Sequence, residues 1–401
     1  MKIKEITENI FYAGVNDRTT TRFEALWPLP YGVSYNSYVV ADEKTALIDT
    51  VAEADALLLI DNIKALTGNG SINYLVVNHM EPDHSGSLPI IANAFPEIKI
   101  IGNRQTISMI KGYYGISDNG RFIEVTDGDE ISLGTKTLKF FLTPMVHWPE
   151  TMMTYCVEKR MLFSGDAFGT FGALNGGIVD FETDVDPYME EMYRYYSNIV
   201  GKYGSFVQKA LAKLKDLPLN FICPTHGPVW HDNISDVVTL TDRLSRYEAE
   251  DGVTIVYGSM YGHNAVVADR IADALAARGV KKIRIHDASY SDMSHIISDA
   301  FRYKGLIVGS PTYSMNLFPP IAQFLDAMRT REIRNKAFAS FGGHTWASAT
   351  EKHFQAFAEQ RSLQYVGHVE IRQAPDAETD KAIETLAEKF ISALDLISAP
   401  S

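Results

Sequence analysis

Cysteine is scarce. The chain of 401 residues holds only Cys156 and Cys223, each inside an apolar, strand-like run. That excludes a disulfide framework and a four-cysteine iron site built from these residues, and it suits a reducing, cytoplasmic setting. Long apolar runs are missing too. None reaches the roughly 18 residues that mark a membrane-spanning helix. The opening Met1-Lys2-Ile3-Lys4-Glu5 lacks the apolar centre of a signal peptide. Positive charge is in deficit. With 37 Lys and Arg against 50 Asp and Glu, the net charge is −13, which disfavours nucleic acid and anionic membranes as partners. Solubility alone is a sufficient reason for that charge. Internal repeats and low-complexity stretches are absent as well.

What is present is a large apolar fraction, 46%, in a chain long enough for two or three cores. The first part mixes short strands with helices, and the rest alternates strand and helix, which indicates a parallel sheet. Between them lies the polar stretch Arg246-Tyr247-Glu248-Ala249-Glu250-Asp251-Gly252. The domains are therefore expected at 1–250 and 251–401, with a closing amphipathic helix over Lys381 to Leu396.

The run His79-Met80-Glu81-Pro82-Asp83-His84 follows the apolar segment Tyr74 to Val77 and packs four potential metal ligands into six residues. Its last pair leads into Ser85-Gly86-Ser87, a helix-start pattern. Three further candidates each lie just beyond an apolar stretch: His147 after Thr137 to Pro144, Asp166 after Met161 to Gly165, and His226 after Phe221 to Pro224. Ligands at the ends of several strands of one sheet make a rigid site. This pattern resembles the metallo-β-lactamase superfamily. Glu81 stands where the hydrolases of that superfamily carry a second His. A carboxylate there makes the site harder and more anionic, which suits iron. In this the chain resembles the flavodiiron proteins, over essentially its full length.

The C-terminal part supports the same resemblance. The strand-like Val253 to Tyr257 runs into Gly258-Ser259-Met260-Tyr261-Gly262-His263-Asn264 and then a helical pattern with Val267, Ala268, Ile271, Ala274 and Leu275 on one face. Strand, small-residue loop and helix place backbone N–H groups around a phosphate. A second strand ends in Ser310-Pro311-Thr312-Tyr313, and a third in Ser340-Phe341-Gly342-Gly343-His344-Thr345-Trp346. Three such loops on one edge of a doubly wound sheet define a ligand crevice. Tyr313 and Trp346 could sandwich a flat ring, or simply pack. This region resembles flavodoxin, and the implied ligand is FMN. Asn264 stands where a hydroxyl residue is typical and is read as capping the helix.

The resemblance implies an N-terminal metallo-β-lactamase-like αββα sandwich followed by a flavodoxin-like doubly wound parallel sheet, an α/β and α+β chain. It implies FMN and two irons, with His79, Glu81 and His147 on one iron, Asp83 and His226 on the other, and Asp166 between them. His84 is a ligand in the hydrolases and generally not in flavodiiron proteins, so it is read as a helix-start residue or one that supports the ligands from behind, with ligation the alternative. Tyr195 corresponds to a pocket tyrosine that donates to bound substrate; the alternative is a helix-face tyrosine. Glu24 falls where some relatives place a pocket His, and Trp148 is read as shielding the site. The other histidines, at 231, 263, 286, 295, 344, 353 and 368, are read as core or surface.

The implied activity is reduction of dioxygen to water, of nitric oxide to nitrous oxide, or both. An external donor would supply the electrons: rubredoxin, another flavoprotein or a reduced deazaflavin. The implied assembly is a head-to-tail homodimer or a tetramer. A zinc hydrolase with a passenger flavin domain, a diferrous oxygen sensor and a plain electron carrier are the alternatives. Glu81 speaks against the first, the flavin domain against the second, and the metal motif against the third.

Overall fold

The computed structural model describes residues 3–68 and 70–397, so Met1 and Lys2, the start of the segment read for a leader, lie outside the described residues. Contacts divide the chain into two units. The first comprises Met1–Tyr196 with Ser205–Asp242, and the second Ser197–Gly204 with Arg243–Ser401. The division thus falls a few residues before the expected 250/251 boundary. Packing explains the shift. The Tyr247 ring lies 5.6 Å from Phe301, the Arg334 guanidinium lies 4.2 Å above it, and the Tyr247 hydroxyl donates to Gly201 O at 3.0 Å.

The first unit is built on a seven-stranded and a five-stranded sheet. The larger runs in the order Lys4–Thr7, Ile10–Tyr12, Tyr38–Val40, Ala46–Ile48, Tyr74–Val76, Lys99–Gly102, Phe122–Glu124. Its last four strands are parallel, as strands joined through helices are. The smaller sheet runs Glu130–Ser132, Thr137–Leu142, Met152–Cys156, Met161–Gly165, Phe221–Pro224. Met152–Cys156 and Met161–Gly165 are buried at every position, which is why they read as unbroken apolar runs. The two sheets meet face to face. The Tyr38 ring lies 5.3 Å from Phe163, and its hydroxyl donates to Pro224 O at 2.6 Å. Cys156 and Cys223 are buried free thiols in this sheet.

The second unit is a parallel sheet ordered Ile283–Asp287, Glu250–Tyr257, Tyr303–Tyr313, Ala337–His344, Gln364–Arg372, with Asn316–Leu317 added antiparallel to the third. In chain order this is 2-1-3-4-5, the doubly wound arrangement whose switch point lies beside the first strand. The expected helix face Val267, Ala268, Ile271, Ala274 and Leu275 is buried against Val253, Ile255, Ile307 and Phe341. The closing helix spans Ala377–Leu396 and is capped by the Asp376 carboxylate, which accepts from Glu378 N and Thr379 N. Among the described residues, no helix is long and apolar enough to cross a membrane.

Candidate functional site

The strand Tyr74–Val76 ends just before His79, and the chain then turns into the short helix Pro82–Ser85. Pro82 at the first helical position pre-sets the turn. Glu81 occupies the N-cap position yet makes no capping bond, because its carboxylate faces the other ligands. His147 lies in the loop beyond Thr137–Leu142, and Asp166 directly follows Met161–Gly165. His226 follows Phe221–Pro224 and precedes Gly227, whose φ is +79°. A Cβ on Gly227 would stand 2.2 Å from Thr170 Oγ1, so no side chain fits there.

These residues converge as two donor groups. His79, Glu81, His147 and Asp166 form one, and Asp83, His84 and His226 the other, with donor atoms in each within 4.8 Å of one another. His147 Nε2 lies 3.0 Å from Asp166 Oδ2 and 3.1 Å from Glu81 Oε2. His84 Nε2 lies 3.1 Å from Asp166 Oδ1 and from Asp83 Oδ2. Asp166 therefore turns one oxygen to each group.

The donors aim at shared points between them rather than at one another. Both Asp83 oxygens are buried without a hydrogen bond. The Nε2 atoms of His84 and His226 approach to 3.0 Å. Buried acceptors left in this state need a cation among them, so the residues present fit a pair of metal ions. Electrostatics agree. Burial works against a charge on His147, yet Asp166 and Glu81 lift its pKa to about 9. Burial likewise opposes charge on Asp166, but His84 and His79 hold its carboxyl well below the usual range.

The imidazoles are oriented from behind. His79 Nδ1 lies 3.0 Å from Glu150 Oε1, which also accepts from Met80 N at 2.8 Å. His226 Nδ1 donates to Ser34 O at 2.7 Å. Each bond fixes the tautomer that leaves Nε2 free for a metal. Thr225 Oγ1 donates to Asp166 Oδ1. Sequence reasoning missed Glu150, Ser34 and Thr225. Glu150, three residues after His147, carried the only local signal.

His84 lies in the first turn of a helix and also beside Asp83 and His226. The helix begins at Pro82, earlier than Ser85-Gly86-Ser87 suggested, and this turns the ring into the second donor group. Its Nδ1 is buried without a hydrogen bond, unlike those of His79 and His226.

Tyr195 ends the helix Asp186–Tyr195, just before a π-helical turn over Tyr196–Val200. Its ring lies 5.6 Å from His226. Its hydroxyl is buried without a well-formed hydrogen bond, and burial together with the Asp166 carboxylate pushes its pKa well up. Glu24 sits in the turn between Arg22–Phe23 and Trp27–Pro28, where Glu24 and Ala25 both hold left-handed φ, 49° and 56°. Trp27 Nε1 donates to its carboxylate at 3.0 Å, while burial and Glu81 raise its pKa. Two adjacent left-handed residues are what a type I′ hairpin turn requires, closed here by Leu26 N donating to Phe23 O at 2.9 Å. Trp148 stands edge-on to His79 at 5.3 Å.

In the second unit, Ser259, Met260, Tyr261, His263, Asn264, Pro311, Thr312, Tyr313, Gly343 and Trp346 line one cavity of about 560 Å³, joined by His344 and Gln373. Tyr313 is 46% and Trp346 89% exposed, so neither is core packing. The helix His263–Ala277 opens on Gly262, at φ +91°, with no side-chain cap, which leaves its first N–H groups for an anion. Asn264 is not the cap. Its amide donates to Gly258 O at 2.9 Å and ties the loop to the strand.

Ser310, Ser340, Phe341 and Gly342 do not line the cavity, because each is engaged elsewhere, whereas Pro311 to Tyr313 and Gly343, at the ends of the same two strands, do line it. Ser310 Oγ accepts from Phe318 N, and Ser340 Oγ pairs with His368. Phe341 belongs to the core, and Thr350 fills the space beside Gly342. A concave site with stacking rings and an uncapped helix start fits a flavin phosphate.

Fold and site together define a two-domain protein that joins a β-lactamase-like metal centre to a flavodoxin. Residues 33–227 match the ODP family beta lactamase description and residues 255–385 the flavodoxin family. An anaerobic nitric oxide reductase flavorubredoxin of Escherichia coli is 33% identical over 85% of this chain and 72% of its own length. An uncharacterized protein of Methanocaldococcus jannaschii is 35% identical over 88% of each chain. The rubredoxin:oxygen oxidoreductase of Desulfovibrio gigas superposes with a TM-score of 0.94 at 26% identity, covering 98% of this chain and 99% of that one. The flavodiiron protein of Giardia intestinalis gives 0.93 at 25% identity, covering 99% of each. The chain belongs to the flavodiiron protein family. It is an oxidoreductase whose cofactors are FMN and a diiron pair.

Glu150 generates a first prediction. Glu150→Gln weakens the hold on His79 while leaving every ligand in place. Iron should leave the variant about 10–100-fold more readily, measured as the rate of transfer to a coloured chelator. Wild-type rates would show that Glu150 does not support the site.

Proposed function

We propose that this flavodiiron oxidoreductase reduces dioxygen to water, nitric oxide to nitrous oxide, or both. The observation that carries the reading is Asp166, one carboxylate with an oxygen toward each of two donor groups. His79, Glu81 and His147 would hold one iron, Asp83 and His226 the other, with Asp166 bridging. His84 joins the second set through its Nε2. When bound, the two irons and the flavin would supply the electrons for reducing a small diatomic gas.

The remaining work falls to the chain's own side chains. Glu81 adds negative charge that favours iron over zinc. Tyr195 presents an unused buried O–H toward the centre and can donate to substrate oxygen. Glu24, held by Trp27, lines the same side near Glu81. Trp148 covers His79 and His147 and limits water access.

Anaerobic reduction followed by mixing with dioxygen or nitric oxide, with metals counted on the same sample, tests the function. Two irons per chain and turnover of at least one gas are expected. Two zincs with ester or lactam hydrolysis and no gas turnover would establish the hydrolase instead. Glu81→His should shift the metal preference toward zinc and depress reduction.

Tyr195→Phe should lower turnover about tenfold to a hundredfold, as loss of one hydrogen bond of about 1.5–3 kcal/mol to a charged partner implies, with iron content unchanged. Turnover equal to wild type would return Tyr195 to a packing role.

The electron donor is read as an external one. Rubredoxin, another flavoprotein or a reduced deazaflavin all fit. For delivery from flavin to iron we propose a head-to-tail homodimer, in which the FMN of one chain faces the irons of its partner. A two-fold axis pairs unlike domains twice, and electron transfer needs short distances. Chains without iron (His79→Ala) mixed with chains without FMN should recover activity in mixed dimers. Full activity in a monomeric sample would overturn the arrangement.

A further inference from the structure

The last strand of the flavodoxin sheet, Gln364–Arg372, supplies none of the three expected flavin loops. It nevertheless holds the third of them. In the parallel ladder Gly342 pairs with Glu370 and His344 with Arg372. Alternation along a strand puts Glu370 and His344 on one face. One carboxylate oxygen of Glu370 accepts from His344 Nδ1, and the other accepts from Ser348 Oγ at 2.9 Å. His344 is the last residue of its strand, and Ser348 lies just before the helix Thr350–Arg361. A single side chain therefore grips both ends of the segment that carries Trp346.

Other bonds tie the rest of the crevice to the same strand end. Gln373, at φ +67°, donates its N–H to His344 O at 2.7 Å, and its carbonyl accepts from His263 Nδ1 at 2.6 Å. Ala349 N donates to Thr312 Oγ1 at 3.2 Å. His368, beneath Glu370, is braced by Ser340 at 2.8 Å.

We propose that Glu370 is a positioning residue of the flavin site, fixing the Trp346 loop through His344 and Ser348 so that the ring end of the crevice is formed before FMN arrives. The inference rests on the flavin reading above. The phosphate end lies at the uncapped start of the helix His263–Ala277, and the aromatic end at Tyr313 and Trp346. A loop pinned at both ends has less freedom left to lose on binding, so the pinning appears as affinity. Bonds to an ionised carboxylate are the strong kind for this purpose. Because Glu370 acts on the ring end, it should affect a flavin with or without its phosphate.

The test uses the full chain, stripped of flavin and titrated with FMN and, separately, with riboflavin, following the quenching of flavin fluorescence. Glu370→Ala should weaken both ligands by the same factor, about tenfold (1.4 kcal/mol). The thermal midpoint of the flavin-free protein should stay at the wild-type value. Glu370→Gln, whose amide oxygen still accepts one bond, should recover part of the affinity. Unchanged affinity in Glu370→Ala would overturn the proposal, as would loss for FMN alone, or a loss matched by a fall in the flavin-free midpoint. If the wild-type chain bound neither flavin, the flavin reading itself would fail and this inference with it.

Discussion

The first domain is organised around a charge problem. Four imidazoles and three carboxylates meet between its two sheets, most of them shut away from water. Uncompensated, such a group would cost far more than the packing around it returns. Several imidazole nitrogens stand within 3.4 Å of a carboxylate oxygen, but the Asp83 oxygens make no well-formed hydrogen bond and the Nε2 atoms of His84 and His226 face each other at 3.0 Å, so mutual pairing leaves the group incompletely satisfied. Cations resolve the problem, and Asp166 sets their number by offering one oxygen to each group. The strand ends, the Pro82 turn, the glycine at 227 and the bonds from Glu150 and Ser34 are all ways of holding acceptors where a cation must sit.

The sequence made the ligands legible because each follows an apolar run, and apolar runs report buried strands directly. The strands at Tyr74–Val76, Met161–Gly165 and Phe221–Pro224 end within a few residues of the expected points. Ser34 and Glu150 were not legible, because their roles exist only once distant segments pair. The placement of His84 depends on a local detail. Ser85-Gly86-Ser87 looks like a helix start, but Pro82 starts the helix first, and the register of that single turn decides which way the imidazole points.

The flavodoxin half shows the same division. Its first helix face followed from periodicity and its parallel sheet from the alternation of strand and helix. The crevice residues followed where they lie beyond a strand end or on its last rungs, as Pro311 to Tyr313 and Gly343 do. Ser310, Ser340 and Phe341 are still within the ladder, where alternation sends side chains into the core or under a helix. Gln373 carried no motif, because a wall residue just past a neighbouring strand leaves no trace in the loop it supports.

Glu81 connects these observations to chemistry. It stands at the N-cap of a helix, where a carboxylate ordinarily bonds to the free N–H groups of the first turn. Here it gives up that role and turns to His79 and His147. An imidazole at 81 would bring no charge, leaving Asp83 and Asp166 as the anionic ligands of the two groups. A carboxylate adds a third negative charge and a harder donor, and it favours ions that gain positive charge on oxidation. A hydrolytic zinc pair never changes charge and has no use for that preference. An iron centre that changes oxidation state would have a use for it, and a flavodoxin domain of the kind that holds an electron-carrying flavin belongs to the same polypeptide. The carboxylate at one position and the second domain are thus two parts of one requirement, that the metal centre be oxidised by its substrate and then restored.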